Sequence, residues 1–237
     1  MVVQGFGQPP GFEENYPVTG EPLVLKLLKS LYGLRQSPRN WNTTFARAIE
    51  SIGFTPLLSD PCLYVYGSGD TYVVLSVYVD DVLLLGVQPA EIKKVRMQLM
   101  SKFSMSDLGT ASLVFGMEID QQPGYIKISQ AHYVRSVLER FGFLQANPAP
   151  TPGVGKPLSN KPEGAHFLDK AETKTYQEIV GSLMYLVNTS RWDISYAVMI
   201  LRCGMSAPTD QHMVAAKRVL RYLRGTPILP TVYRKGA

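Results

Sequence analysis

Cysteine and histidine are scarce in this 237-residue chain: two of one, three of the other. Cys62 and Cys203 stand alone, so neither a disulfide framework nor a Cys-x-x-Cys zinc site can be drawn, and the scattered histidines do not supply one. No apolar run reaches the length of a membrane span, and the first residues lack the charged-then-apolar pattern of a secretory signal. A soluble, intracellular protein is the expectation. No repeat of fixed period is present either. Charge of one sign is thin: 24 Lys and Arg against 19 Asp and Glu leave a net +5. The small total hides a division, because residues 1 to 120 carry net −3 and residues 121 to 237 carry net +8. A cationic half suggests a nucleic acid or other polyanion as partner, although a solvated basic surface has the same composition.

Hydrophobic residues make up 45% of the chain, enough at this length for one or two packed domains. Residues 1 to 22, rich in Gly, Pro and Glu, read as an irregular leading segment. Ser37-Pro38 then signals a helix start, with Ser as cap, and Trp41, Phe45, Ala48 and Ile52 recur at helical spacing up to Gly53. From Cys62 to Gly86 the pattern is that of a three-stranded antiparallel meander: Leu63 to Tyr66, Thr71 to Tyr78, and Val82 to Leu85. A helix over about 91 to 103 follows. A hairpin pairs Leu113–Ile119 with Tyr125–Ile128 around Pro123-Gly124, and Ser129 caps a helix ending at Gly142. Prolines 148, 150, 152, 157 and 162 mark a linker, and the remainder reads as helices over about 173 to 188, 193 to 203 and 210 to 224. The fold class is α+β.

Chemistry concentrates at Tyr78-Val79-Asp80-Asp81. Very few residues join the two flanking strands, so both carboxylates lie at or beside a tight hairpin turn. Adjacent carboxylates at the end of apolar strands repel each other, and a divalent cation offsets that repulsion. Two-metal phosphoryl-transfer sites are built from such carboxylates. Asp also favours ordinary turns, and a solvated Asp-Asp loop has the same residues. Towards the C-terminus, Thr209 caps a helix whose Met213, Ala216, Leu220 and Leu223 face inward. Its Lys217, Arg221 and Arg224 share another face, with Arg218 nearby, a basic row that suits either a phosphate backbone or solvent.

An ordered set of segments ties these features together. Gln8-Pro9-Pro10-Gly11-Phe12 comes first, then Leu31-Tyr32-Gly33-Leu34-Arg35-Gln36-Ser37-Pro38-Arg39-Asn40-Trp41, Ser59 to Tyr64, and Tyr78-Val79-Asp80-Asp81. Asp107-Leu108-Gly109, Phe115 to Ile119, Ile128-Ser129-Gln130, Ile179 to Leu186, Asp193 to Ala197 and Ala215 to Thr226 follow in order. In this arrangement the chain resembles the reverse transcriptase of copia-type LTR retrotransposons from about residue 8 to residue 226. The resemblance implies a polymerase palm with antiparallel sheet and packed helices. It also implies RNA-directed DNA synthesis, two Mg²⁺ ions, and template-primer and deoxynucleoside triphosphates as partners, in the cytoplasm or a virus-like particle within the polyprotein. By the same resemblance Asp80 and Asp81 are the catalytic, metal-binding dyad, and Tyr78 packs beside the primer terminus. Gly33, Arg35, Gln36, Ser37 and Pro38 lie over the nascent base pair and template, and the Phe115–Ile119 strand belongs to a primer-gripping element.

The matching pattern implies a partial fingers and palm over 1–124, a thumb-like helix over 125–147 and a Pro/Gly-rich linker over 148–170. A helical connection over 171–237 would lead towards an RNase H domain. The family's third metal carboxylate belongs upstream of Gln8 and its nuclease downstream of Ala237, so the chain alone is expected to be inactive. Ser106 stands where the family usually has Lys, and Trp192 where it usually has Pro. The alternative function is a non-catalytic nucleic-acid-binding remnant that uses the basic C-terminal helices.

Overall fold

The computed structural model describes residues 5–153, 164 and 166–236. Residues 154–163 and 165, within the Pro-rich stretch expected as a linker, lie outside them. The chain divides into two compact units, one up to Asp107 and one from Leu108. Each has its own hydrophobic core. The whole is α+β, as the patterning implies, with six helices and two antiparallel four-stranded sheets among the described residues.

The leading segment is less irregular than its composition suggests. A two-residue strand β1 (Gly5–Phe6) pairs with β2 (Leu25–Lys26). The Gln8 side chain reaches the carbonyls of Glu14 and Leu23, and its oxygen accepts from the Glu14 amide. A side-chain clasp of this kind leaves no periodic trace in the sequence.

Helix α1 (Ser37–Glu50) begins one residue earlier than its cap signal implies. Gln36 takes the cap position, Pro38 sits in the first turn, and the Ser37 hydroxyl donates to Leu31 O at 2.5 Å. Phe45 and Ile49 form the buried face of α1. The meander gains a fourth strand, β3 (Thr55–Pro56), ahead of β4 (Leu63–Tyr66), β5 (Val73–Tyr78) and β6 (Asp81–Gly86), in spatial order β3-β4-β5-β6. A two-residue edge strand ending in Pro gives no alternating signal, and the edge is where Pro is tolerated. Helix α2 (Pro89–Lys102) opens on Pro at its first position and buries Val95 and Leu99. Helices α1 and α2 share a core with Phe54, Tyr64, Val73 and Leu75. Strand alternation therefore puts Val73, Leu75 and Val77 on the core face and Val74, Ser76 and Tyr78 on the other.

The second unit opens with β7 (Leu113–Val114), β8 (Met117–Gln122) and β9 (Tyr125–Ser129). Leu113 to Ile119 is thus two strands and not one: Phe115 and Gly116, at φ 51° and 75°, turn the chain back on itself. Both central residues at positive φ is the geometry whose twist suits a two-residue hairpin. Helix α3 (Ala131–Arg140) has Gln130 and not Ser129 at its cap position, although the Ser129 hydroxyl still accepts from the Ala131 amide at 3.1 Å. Helices α4 (Lys170–Thr189), α5 (Ser195–Cys203) and α6 (Asp210–Gly225) follow. The chain then adds a strand to a segment expected to be wholly helical, because β10 (Thr231–Arg234) pairs with β9 to give the order β10-β9-β8-β7.

Two buried polar groups hold this helical unit together. Arg191, 1% exposed, makes a two-pronged contact with the Asp193 carboxylate (2.9 and 2.8 Å) and donates to the Thr226 carbonyl and hydroxyl at 2.8 Å. His212, fully buried, accepts the Thr209 amide at 3.3 Å through Nδ1, which also lies 2.8 Å from the Thr209 hydroxyl. An accepting Nδ1 puts the ring proton on Nε2. No helix among the described residues is long and apolar enough to cross a membrane.

Candidate active site

Strands β5 and β6 are joined by two residues only. Tyr78 pairs with Asp81 in the ladder, so Val79 and Asp80 are the turn itself. Asp80 therefore occupies the tip, and Asp81 is the first residue of β6, directly opposite Tyr78 on the sheet face away from the helices. All four residues are exposed. Val79 has φ 55°, a left-handed conformation that a β-branched side chain resists and glycine adopts freely. A tight turn with the wrong residue at its first central position needs outside support.

That support comes from α1. The Trp41 indole N–H donates to the Val79 carbonyl at 3.1 Å. The indole is itself fixed by rings: its centroid lies 5.5 Å from that of Phe45 and 5.8 Å, edge-on, from that of Phe103, while Phe45 and Phe103 stack at 5.3 Å. Trp41 was expected only on the apolar stripe of α1, and it is in fact 40% exposed. The signal for its second role was chemical, since a Trp N–H at the edge of a core needs an acceptor.

The Gly33–Pro38 segment leads directly into the turn of α1 that carries Trp41. Gly33 has φ 91° with open space where a side chain would stand, so its backbone is accessible to a ligand. Arg35, Gln36 and Pro38 are exposed, and Ser37 is half-buried with its hydroxyl committed to Leu31 O. Asp107 forms an ion pair with Arg96 of α2 at 2.6 Å. Among the described residues no group of three or more His, Cys, Asp or Glu is placed to hold a metal ion. Asp80 and Asp81 offer hard oxygen donors of the type divalent cations take.

The basic row of α6 has a structural occupation. Arg218 donates to the Thr151 hydroxyl (2.9 Å), Arg221 to Asn147 O (2.7 Å) and Arg224 to Leu144 O (2.5 Å). The Ala149 amide returns a bond to Arg221 O at 3.2 Å, and Ala149 is buried. Residues 144 to 151 are thus stapled along α6 by arginines spaced about one turn apart. Lys217 has no part in this row of contacts.

The match to known proteins agrees with this geometry. Residues 5–155 match the model of the reverse transcriptase (RNA-dependent DNA polymerase) family, and the chain belongs to that family. It is 38% identical over 233 residues to the retrovirus-related Pol polyprotein from transposon RE1 of Arabidopsis thaliana, covering 97% of this chain and 15% of that protein. It is 39% identical over 226 residues to the corresponding polyprotein from transposon TNT 1-94 of Nicotiana tabacum, covering 92% and 17%. A putative transposon Ty5-1 protein of Saccharomyces cerevisiae is 32% identical over 232 residues, covering 97% of this chain and 73% of that protein. The copia-type resemblance drawn from the ordered motifs therefore stands, and the chain spans about a sixth of the length of the plant polyproteins it matches. No solved structure matches it significantly.

Proposed function

We propose that this chain is the part of an RNA-directed DNA polymerase that presents Asp80 and Asp81 as two of the ligands for catalytic Mg²⁺. The observation that carries the reading is the placement of both carboxylates at a two-residue hairpin turn, exposed, with the turn fixed from behind by Trp41. The proposed reaction is attack of a primer 3′-hydroxyl on the α-phosphorus of a deoxynucleoside triphosphate. The new bond joins the 3′-oxygen to that phosphorus, the hydroxyl proton passes to solvent, the bond between the α-phosphorus and the bridging oxygen breaks, and pyrophosphate leaves. A divalent metal held there supplies positive charge to the phosphate oxygens and makes the attacking hydroxyl more acidic. The chain's own part is positional. Asp80 in the turn and Asp81 at the end of the ladder present neighbouring donor oxygens, Tyr78 offers an exposed ring opposite Asp81, and Gly33 with Arg35 leaves backbone and cation open to template phosphate. The domain boundaries and the nucleic-acid role of Lys217, Arg218, Arg221 and Arg224 belong to the same proposal. For the three arginines it concerns only the guanidinium edges not turned to residues 144–151.

Two carboxylates without a third do not preorganise the charge that phosphoryl transfer needs, so the described residues alone do not extend a primer. The test is a Mn²⁺ titration of the full chain beside primer extension on an RNA template. Asp80→Asn or Asp81→Asn weakens Mn²⁺ binding by roughly tenfold or more, and extension stays at background with or without either substitution. Mn²⁺ binding indifferent to both substitutions would remove the reading.

A further inference from the structure

Among the described residues, Val79 and Phe115 are the two non-glycine positions with positive φ. Each is clasped at its carbonyl by an aromatic donor from a distant helix: Trp41 Nε1 to Val79 O at 3.1 Å across 38 residues, and Tyr185 Oη to Phe115 O at 2.6 Å across 70. Strained backbone persists only where its surroundings fix it, and it collects at sites that need one geometry. At Val79 the consequence is direct. The clasped carbonyl belongs to the peptide unit that joins Val79 to Asp80, so rotation of that unit swings the Asp80 carboxylate and shifts Asp81 out of its pairing with Tyr78.

We infer that Trp41 is a positioning residue for the carboxylate pair: its indole N–H holds the Val79–Asp80 peptide in the orientation that brings Asp80 and Asp81 to one metal. This rests on the reading of Asp80 and Asp81 as metal ligands. The ring contacts with Phe45 and Phe103 supply the rigidity, and the single hydrogen bond transmits it to the turn. The donor is specific to Trp: Phe at position 41 keeps a ring against Phe45 and Phe103 and loses the N–H. The α1 motif and the carboxylate turn, 38 residues apart, thereby act as one piece.

The experiment compares wild type, Asp80→Asn and Trp41→Phe as full chains, by Mn²⁺ titration, thermal melting and amide hydrogen exchange of residues 78 to 82. With Trp41→Phe, Mn²⁺ affinity falls by about tenfold, exchange at the turn accelerates, and the melt stays close to that of wild type. Unchanged Mn²⁺ affinity in a folded Trp41→Phe chain overturns the inference and leaves the reading of the carboxylates intact. Wild-type binding that Asp80→Asn does not disturb overturns the reading itself, before Trp41 is considered, and the inference with it. Should Phe cost the fold, a benzothienylalanine at position 41 keeps the bicyclic shape and replaces the N–H by sulfur. Its Mn²⁺ affinity, lowered or not, then decides the matter in the same way.

Discussion

Val79 holds the carboxylate turn in a left-handed conformation, φ 55°, that its β-branched side chain resists. A left-handed valine costs about 1–2 kcal/mol relative to the same turn with glycine, against roughly 0.5–1 kcal/mol of added unfolded-state entropy that glycine brings. The two nearly cancel, so Val79→Gly leaves urea stability within about 1 kcal/mol of wild type and tips it towards the more stable side. Function moves the other way. A glycine at position 79 explores both signs of φ and so frees the peptide that joins it to Asp80, and Mn²⁺ affinity falls in the same titration that reads Trp41→Phe. A gain in stability accompanied by a gain in affinity would contradict this. The sequence showed Val79 only as the variable letter between Tyr78 and Asp80. Its strain was illegible there because the turn length depends on which residues pair, and the ladder settles on Tyr78 with Asp81.

At the scale of elements, amphipathic patterning carries most of the architecture and fails where the determinant is a single long-range contact. All six helices and the strands β4, β5 and β6 follow the periodicity of their side chains, within a few residues at each end. The two-residue pieces β1, β2, β3 and β7 do not, since two residues are too few for a period to show, and neither does β10; each exists because a neighbour supplies its ladder bonds. The split at Phe115-Gly116 is the clearest case. Nothing local announces that Phe115 will adopt φ 51°, and what holds it is Tyr185, brought up by α4 and packed edge-on against Tyr133 at 4.7 Å. Gly116 has its own reason to be glycine, because a side chain there would meet the Tyr185 hydroxyl at 2.9 Å. Tyr185→Phe keeps the ring and removes the bond. It lowers urea stability by about 1 kcal/mol and speeds amide exchange at residues 114 to 117, while Mn²⁺ binding at the carboxylate turn stays unchanged. The candidate site was legible in the same uneven way: Asp80 and Asp81 stood out because two charges interrupt an apolar pattern, whereas Trp41 was hidden inside an apolar stripe it only partly obeys.

Taken whole, the chain has two cores with separate chemistries, and the second unit carries two acid-sensitive groups, a buried histidine and a partly shielded carboxylate. Enclosure pulls His212 below its ordinary value of 6.5. The unfolded chain then binds a proton more readily than the folded one, so stability falls as the pH drops from about 6.5 towards the folded value. Asp193 works in a lower window. Burial alone would raise its carboxyl, but the Arg191 guanidinium and the Tyr222 hydroxyl outweigh burial and hold it below 3.8. Its contribution is complete above that ordinary value and is lost as the pH falls through the folded one. Urea unfolding across a pH series therefore shows two successive losses, and His212→Gln erases the upper one while sparing the lower. The chain carries its own means of assigning those losses. Of its two tryptophans, Trp41 lies in the first unit and Trp192 in the second, beside Arg191. With Trp41 replaced by Phe, the remaining indole fluorescence is a private optical label for the acid-sensitive unit; with Trp192 replaced, it becomes one for the unit that carries the carboxylates.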